Sequence, residues 1–291
     1  MALSLLSQNA QDFLKSKNVL AIQVHGGVFH ADDVCVVALL KVMLGLNLKV
    51  IRDFKVNPDA DIVADVGMRY DLDGDQMFFD HHQDLELRAD GTKPSALGLV
   101  ADWLLSPALR AKVDRYIRPV ERQDNGQALH EGEVNIFAFI SSFNSCWNEG
   151  ASQDAQFQQA VEMTTAIWMR IFASIKAEAE AEAIVAEAIA TTENGFAVLS
   201  KGGMPWQKAV VEYNSTHEEK ILRVGYMDLA RGQFNVQAVP DALGSKGMLQ
   251  PLPESWLTEN KPEGLIFCHQ ARFLAAFKSE GGARKALAAE A

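Results

Sequence analysis

Met77-Phe78-Phe79-Asp80-His81-His82 is the stretch on which the reading of this chain turns. Three apolar residues make a short buried strand, and a carboxylate and two imidazoles follow without a break. Polar heads delivered to the end of a buried strand are costly to leave unpaired, because each is desolvated without compensation. A metal ion is the partner whose chemistry suits all three.

Similar residues stand at the ends of other apolar runs. Val19-Leu20-Ala21-Ile22-Gln23-Val24 reads as a strand that delivers His25 and then, across the turn at Gly26-Gly27, His30 and Asp32. Ala60-Asp61-Ile62-Val63-Ala64 reads as another and delivers Asp65. Asp124 is a fourth contributor, in Arg122-Gln123-Asp124-Asn125-Gly126 beyond a helical stretch that ends near Tyr116. In an open α/β sheet such ends converge on the carboxyl edge of the strands, where ligands bind.

Between the strands lie helical patterns at residues 31–46, 94–113 and 157–190, with a further strand at 48–53. This alternation predicts an α/β fold, a mostly parallel sheet flanked by helices, in residues 1–192. From Gly195 onward short strands follow one another at 196–199, 221–226, 233–239 and 265–268, with few helices between them. Residues 193–291 are therefore expected to form a second, smaller α+β domain. Glycine and proline at 244–253 mark a long exposed loop.

At 291 residues, 48% hydrophobic and 22% charged, the chain can bury a full core and is long enough for two domains. No apolar run reaches the length of a membrane span, since residues 34–46 are broken by Lys41 and Gly45. Residues 1–18 lack the basic cluster of a signal peptide. Cys35, Cys146 and Cys268 are far apart and form no Cys-x-x-Cys pair, so free thiols in a reducing cytoplasm are expected. The net charge of -11 disfavours a long nucleic-acid footprint. Part of that charge is local, in the Ala/Glu-rich residues 173–192, and cations bound among carboxylates would reverse the field around them. Phosphate substrates thus stay within reach.

Carboxylate and imidazole together suit a divalent ion of intermediate hardness such as manganese, whereas thiolate would point to zinc or copper(I). The supply of ligands suits two ions better than one. A pair of ions can stabilise charge on an attacked phosphoryl group.

His25-Gly26-Gly27-Val28-Phe29-His30-Ala31-Asp32-Asp33, Arg52-Asp53, Asp61-Ile62-Val63-Ala64-Asp65-Val66-Gly67, Asp80-His81-His82-Gln83 and Asp124-Asn125-Gly126 follow one another in order. In these blocks the chain resembles the DHH phosphoesterase superfamily, and more closely the family of metal-dependent hydrolases named after the melanocyte proliferating gene. Weaker echoes continue at 143–149, 251–256 and 264–269. One Asp-His-His tripeptide alone would be a weak signal; five blocks in order are a strong one.

The resemblance implies that His25 and His30 hold one metal and Asp32 the other, with Asp65 bridging them and His81 and Asp124 completing the second. It implies that Asp80 orients an imidazole and that His82 meets the substrate as a phosphate contact or proton donor. It further implies two divalent ions, manganese with magnesium as an alternative, and cleavage of phosphodiester bonds, as a 3′ to 5′ exonuclease on RNA or short oligonucleotides. Two other readings stand beside this one. The acidic surface favours hydrolysis of a small nucleotide or other phosphate compound, and a metal-stabilised regulatory protein would keep the cluster without turnover.

The C-terminal part departs from the family's pattern. Where relatives carry a glycine-rich run after a histidine, this chain has His269-Gln270-Ala271-Arg272-Phe273-Leu274-Ala275-Ala276. Glycines let backbone amides approach a phosphate, and alanine restricts that approach. Arg272 offers a side-chain fork instead, with His269 beside it as a second substrate contact. Asp33 fits a helix N-terminus, Arg52-Asp53 a surface pair, and His130 and His217 exposed positions. No feature of the sequence fixes an oligomeric state.

Overall fold

The computed structural model describes residues 5–16, 19, 21–45, 47–259 and 261–290. Leu20 of the first expected strand, Leu46 of the first expected helix, and residues 1–4, 17 and 18 of the segment read for a leader lie outside them. The chain divides into two compact units, Met1–Ile175 and Lys176–Ala291.

The first unit runs α1 (Gln8–Ser16), β1 (Ala21–Val24), α2 (Ala31–Leu44), β2 (Lys49–Arg52), β3 (Ile62–Ala64), β4 (Tyr70–Asp71), β5 (Met77–Phe79), α3 (Ala96–Leu104), α4 (Pro107–Asp124), α5 (Ile136–Ser141) and into α6 (Gln153–Ala190). Its sheet has the order β2-β1-β3-β5-β4. β1 pairs in parallel with β2 and β3, β3 pairs in parallel with β5, and only β4 is antiparallel. The expected mostly parallel sheet is thus present, with an added antiparallel edge strand too short to leave a periodic signal.

Helix α2 explains much of the core. Every residue from Ala31 to Leu40 is buried, because α3, α4 and α5 all pack against it. A helix apolar on all sides can persist only where it is covered on all sides. Its first turn carries the exceptions, Asp32 and Asp33, both fully buried.

Two expectations about helices are corrected. The single helix read over 94–113 is two, α3 and α4, because Pro107 stands at the start of α4, where its missing N–H costs nothing. Helix α4 also does not end near Tyr116; it continues through Pro119 to Asp124, held by buried Ile117, Val120, Glu121 and Arg122. Asp124 is therefore fixed on a helix. Gly98 lets α3 and α4 approach closely, since a Cβ there would lie 1.7 Å from Glu121 Oε1.

Helix α6 buries Phe157, Ala160, Val161 and Trp168 in the first unit and Ala181, Val185 and Ala188 in the second. Glu178, Glu180, Glu182 and Glu187 are exposed, as expected. The second unit continues with β6 (Phe196–Leu199), α7 (Gln207–Thr216), β7 (Arg223–Asp228), β8 (Gln233–Ala238), a 3-10 turn (Glu254–Leu257), β9 (Leu265–Cys268), β10 (Leu274–Phe277) and α8 (Glu280–Ala288). Its sheet order is β6-β7-β8-β10-β9, with only β6 and β7 parallel. This matches the expected α+β class but adds β10. Its alanines are poor strand formers, and pairing with both β8 and β9 holds it in the sheet. Among the described residues, no helix is long and apolar enough to cross a membrane.

Candidate metal centre

β1, β3 and β5 run parallel, so the residues that follow them arrive at one edge of the sheet. His25, Asp65 and Asp80-His81-His82 are these residues, and the first turn of α2 and the last turn of α4 bring in the rest.

Asp65 stands at the centre. Its φ of 56° is left-handed, a conformation aspartate tolerates at a cost of about 1 kcal/mol. Its Oδ2 lies 3.5 Å from His25 Nε2, and its Oδ1 lies 3.2 Å from His81 Nε2 and 3.7 Å from His82 Nδ1.

On one side of Asp65, the ligand atoms of His25, His30, Asp33 and Asp65 all lie within 4.8 Å of one another. The Nδ1–H of His25 donates to the Gly26 carbonyl at 2.8 Å, which turns Nε2 toward the cluster. Asp33 Oδ2 lies 2.8 Å from that Nε2 and accepts the His30 backbone N–H at 2.9 Å. The His30 ring lies 5.5 Å from that of His25 and stacks on Phe137 at 5.9 Å.

On the other side, the ligand atoms of Asp32, His81 and Asp124 form a second group of the same span. Asp32 accepts the Ser95 hydroxyl and the N–H groups of Ala96 and Leu97, both at 2.9 Å, so its carboxylate sits on the first turn of α3. His81 Nε2 lies 3.1 Å from Asp124 Oδ2. A carboxylate in the last turn of α4 faces the negative end of the helix dipole and needs a cation opposite it.

Protonated histidines provide that cation here. Burial opposes the charge of His25, but the hydrogen bond and charge of Asp33 raise it to about 9. Burial likewise opposes His81, and Asp124 and Asp65 raise it to about 11. Burial pushes the carboxyl of Asp32 well above its usual range, and repulsion from Asp124 and Asp65 adds to the effect. Asp65 is raised first by burial as well.

Among the described residues, Asp33 Oδ1, Asp65 Oδ1 and His81 Nδ1 are buried without a hydrogen-bond partner. The approach of His81 to Asp65 Oδ1 is close enough for an ion pair but lacks hydrogen-bond alignment. Orphaned carboxylate oxygens interleaved with imidazole nitrogens are a donor set for divalent cations, and these residues fit such ions.

Asp80 is hydrogen-bonded to the imidazole of His82. Its Oδ1 lies 2.6 Å from His82 Nδ1 and accepts the His82 N–H at 3.0 Å, while Oδ2 accepts the Met68 N–H at 2.7 Å. Burial would raise Asp80, but these donors hold it below the usual carboxylate range. The His82 side chain is 52% exposed, open to an incoming group.

His269 and Arg272 share the turn between β9 and β10. The Arg272 N–H donates to the His269 carbonyl at 2.7 Å, and Arg272 has a left-handed φ of 55°. His269 Nδ1 accepts the Ala271 N–H at 3.1 Å, and its ring packs on Phe273 at 4.4 Å.

Several residues play parts that the sequence does not display. Asp33 contacts His25 as well as holding a helix end. Arg52 does not pair with Asp53: its guanidinium bonds Asp154 and the Gly27 carbonyl and lies 4.4 Å from the Phe157 ring centroid, while Asp53 accepts the Lys55 N–H. Asn144 clamps the loop ahead of His30, donating to the Phe29 carbonyl at 2.8 Å and accepting the Phe29 N–H at 3.0 Å. Its only sequence signal is its place in the block at 143–149.

Comparison with known proteins gives the family of the chain. The mouse protein named MYG1 exonuclease is 27% identical over 315 residues, covering 90% of this chain and 82% of its own. The yeast MYG1 protein YER156C from Saccharomyces cerevisiae is 26% identical, covering 92% of this chain and 94% of its own. A solved structure of RecJ in complex with Mg2+ from Thermus thermophilus is 15% identical with a TM-score of 0.29, covering 99% of this chain and 52% of that one, a fit too low to assign fold or chemistry. The model of the MYG1 exonuclease family, described as "Uncharacterised protein family (UPF0160)", matches residues 21–103 and 107–291. That match takes in every residue of the cluster around Asp65, and the chain belongs to this family.

Proposed function

We propose that this chain is a metal-dependent phosphodiesterase that acts as a 3′ to 5′ exonuclease on RNA or short oligonucleotides, in the cytoplasm. The observation that carries the reading is Asp65, buried between two groups of ligand atoms with one oxygen toward each. The name of the mouse relative supports the exonuclease activity. The net charge of -11 favours short substrates over long ones.

In this reading His25 and His30 hold one ion, Asp32, His81 and Asp124 hold the other, and Asp65 is shared. Two divalent ions, manganese or alternatively magnesium, supply charge stabilisation at the phosphoryl group and a lowered pKa for water. The Gly26 carbonyl keeps His25 aimed through its Nδ1–H, and the first turn of α3 keeps Asp32 aimed. His82, held by Asp80, contacts a phosphate oxygen or gives a proton to the leaving oxygen. Residues 193–291 serve as the substrate-binding part, in which Arg272 and His269 take a phosphate of the substrate.

RNA labelled at its 5′ end, RNA labelled at its 3′ end, matched DNA and free nucleotides are the test substrates, each with and without manganese. We expect manganese-dependent release of single nucleotides from the 3′ end of RNA. Cleavage of nucleotides alone would replace the exonuclease with a small-phosphate hydrolase. Stoichiometric metal with no hydrolysis of any phosphodiester would leave the regulatory reading in its place.

A further inference from the structure

The second unit contains a cavity of about 840 Å³ lined by Arg223, Arg272 and Arg284, with Phe196, Leu222 and Leu287 among its apolar walls. Arg223 is the unusual member. It is 6% exposed, and its guanidinium donates to two neutral acceptors, the carbonyls of Leu222 at 2.8 Å and Pro251 at 2.9 Å. Its Nε is buried without a partner, and no carboxylate among the described residues lies within ion-pair distance.

The other strongly buried arginines do not share this condition. Arg52 has Asp154, Arg88 has Glu121 and Asp102, and Arg122 has Glu133 at 3.2 Å. A buried charge without a counter-ion costs several kcal/mol, and two backbone carbonyls repay only part of it. Burial alone pulls Arg223 down to about 10, which leaves it cationic at neutral pH.

Glu193 and Glu290 also line the cavity, but neither reaches Arg223 as an ion pair. Arg284 is paired with Glu280 at 2.8 Å and Glu193 at 3.4 Å, while Glu290 accepts the Ser255 hydroxyl at 2.7 Å, keeps its charge, and among the described residues makes no ion pair with Arg223 or Arg272. Among the described residues, the Arg272 guanidinium has one ion-pair partner, Glu254 at 3.9 Å, and donates to the Leu252 carbonyl at 3.4 Å. The cavity therefore presents two under-compensated guanidinium groups beside apolar walls.

We propose that this cavity binds a small phosphate monoester, its head group against Arg223 and Arg272 and its organic part on Phe196, Leu222 and Leu287. Guanidinium forks suit carboxylates and phosphates alike, but two of them match a phosphate dianion better than a single carboxylate charge. The site needs no metal; it shares Arg272 with the nuclease reading, whereas Arg223 belongs to it alone.

Calorimetric titration of the whole chain in EDTA tests this with phenyl phosphate, inorganic phosphate and phenylacetate as probes. Phenyl phosphate should bind, and more tightly than either of the others. Arg223→Gln, which keeps a neutral donor for the Pro251 carbonyl, should weaken it about tenfold or more. Because that variant can also disturb folding, the assigned Arg223 Nε–H resonance of the wild type is followed by NMR, where saturation with phenyl phosphate should shift it. No binding of phenyl phosphate, an unmoved Arg223 resonance, or equal affinity for phenylacetate would each overturn the proposal. Binding in EDTA by a protein that cleaves no phosphodiester would uphold this site while removing the nuclease.

Discussion

His81 Nε2 lies 3.2 Å from Asp65 Oδ1, although the two residues end different strands and are separated by the β4 edge of the sheet in sequence. The same nitrogen lies 3.1 Å from Asp124 at the end of α4. One imidazole thus ties a strand end to a helix end, and the position of any ion placed there depends on both.

Asp65 and His82 should separate metal binding from turnover. Asp65→Ala should lose bound metal and activity together. His82→Ala should keep its metal and slow by about 10²–10⁴-fold, the usual worth of a positioned proton donor. Metal analysis paired with kcat reads both effects; an emptied His82→Ala site beside a full Asp65→Ala site would reverse the assigned roles.

Gly98→Ala should destabilise the first unit. The new Cβ would lie 1.7 Å from Glu121 Oε1 and 2.6 Å from an Arg88 nitrogen, and so would force apart a buried ion pair. Breaking such a pair costs about 3–5 kcal/mol. Urea unfolding measures this, and an unchanged midpoint would mean that Glu121 moves aside freely.

Arg272 should reveal two separable effects. Arg272→Ala should weaken substrate binding with metal content intact, and Arg272→Lys should recover it only in part, since an ammonium lacks the planar fork. Arg272→Gly should lose the same contact yet raise the melting temperature, because glycine relieves the left-handed φ of 55° at a gain of about 1 kcal/mol. Unchanged kinetics in Arg272→Ala would reduce this arginine to a surface charge.

The metal-free protein should lose stability as pH rises. His25 binds its proton more tightly when folded, at about 9 against an ordinary 6.5, and His81 does so at about 11. Their contribution is complete below 6.5 and fades as pH climbs toward each folded value, because the folded state then holds protons that the unfolded state has released. Melting temperatures in EDTA should fall between pH 6.5 and 9, while the gain on adding manganese should grow over the same range, since the ion displaces those protons. A flat profile in EDTA would show that the two histidines are not paired as described.

Much of the centre is legible in the sequence, for a physical reason. Met77-Phe78-Phe79, Ile62-Val63-Ala64 and Ala21-Ile22-Gln23-Val24 are too apolar and too short to be anything but buried strands of a βαβ order, and parallel strands end on one edge. His25, Asp65 and His81 therefore had to meet. The run Ala271-Arg272-Phe273-Leu274-Ala275-Ala276 was legible only as a departure, since nothing in its composition reveals that β10 pairs on both sides.

What each polar residue touches was decided by the tertiary structure alone. Asp32 and Asp33 are adjacent in sequence, but successive residues of a helix point about 100° apart. One carboxylate consequently rests on the N-terminus of α3 while its neighbour reaches His25, and sequence cannot say which element packs on which side. Arg52 likewise passes over its neighbour Asp53 to reach Asp154 on α6, because only the packed fold places the Phe157 ring under its guanidinium. The strand pattern selects the residues that gather at the edge of the sheet; the packing of helices around that edge sets their partners and their protons.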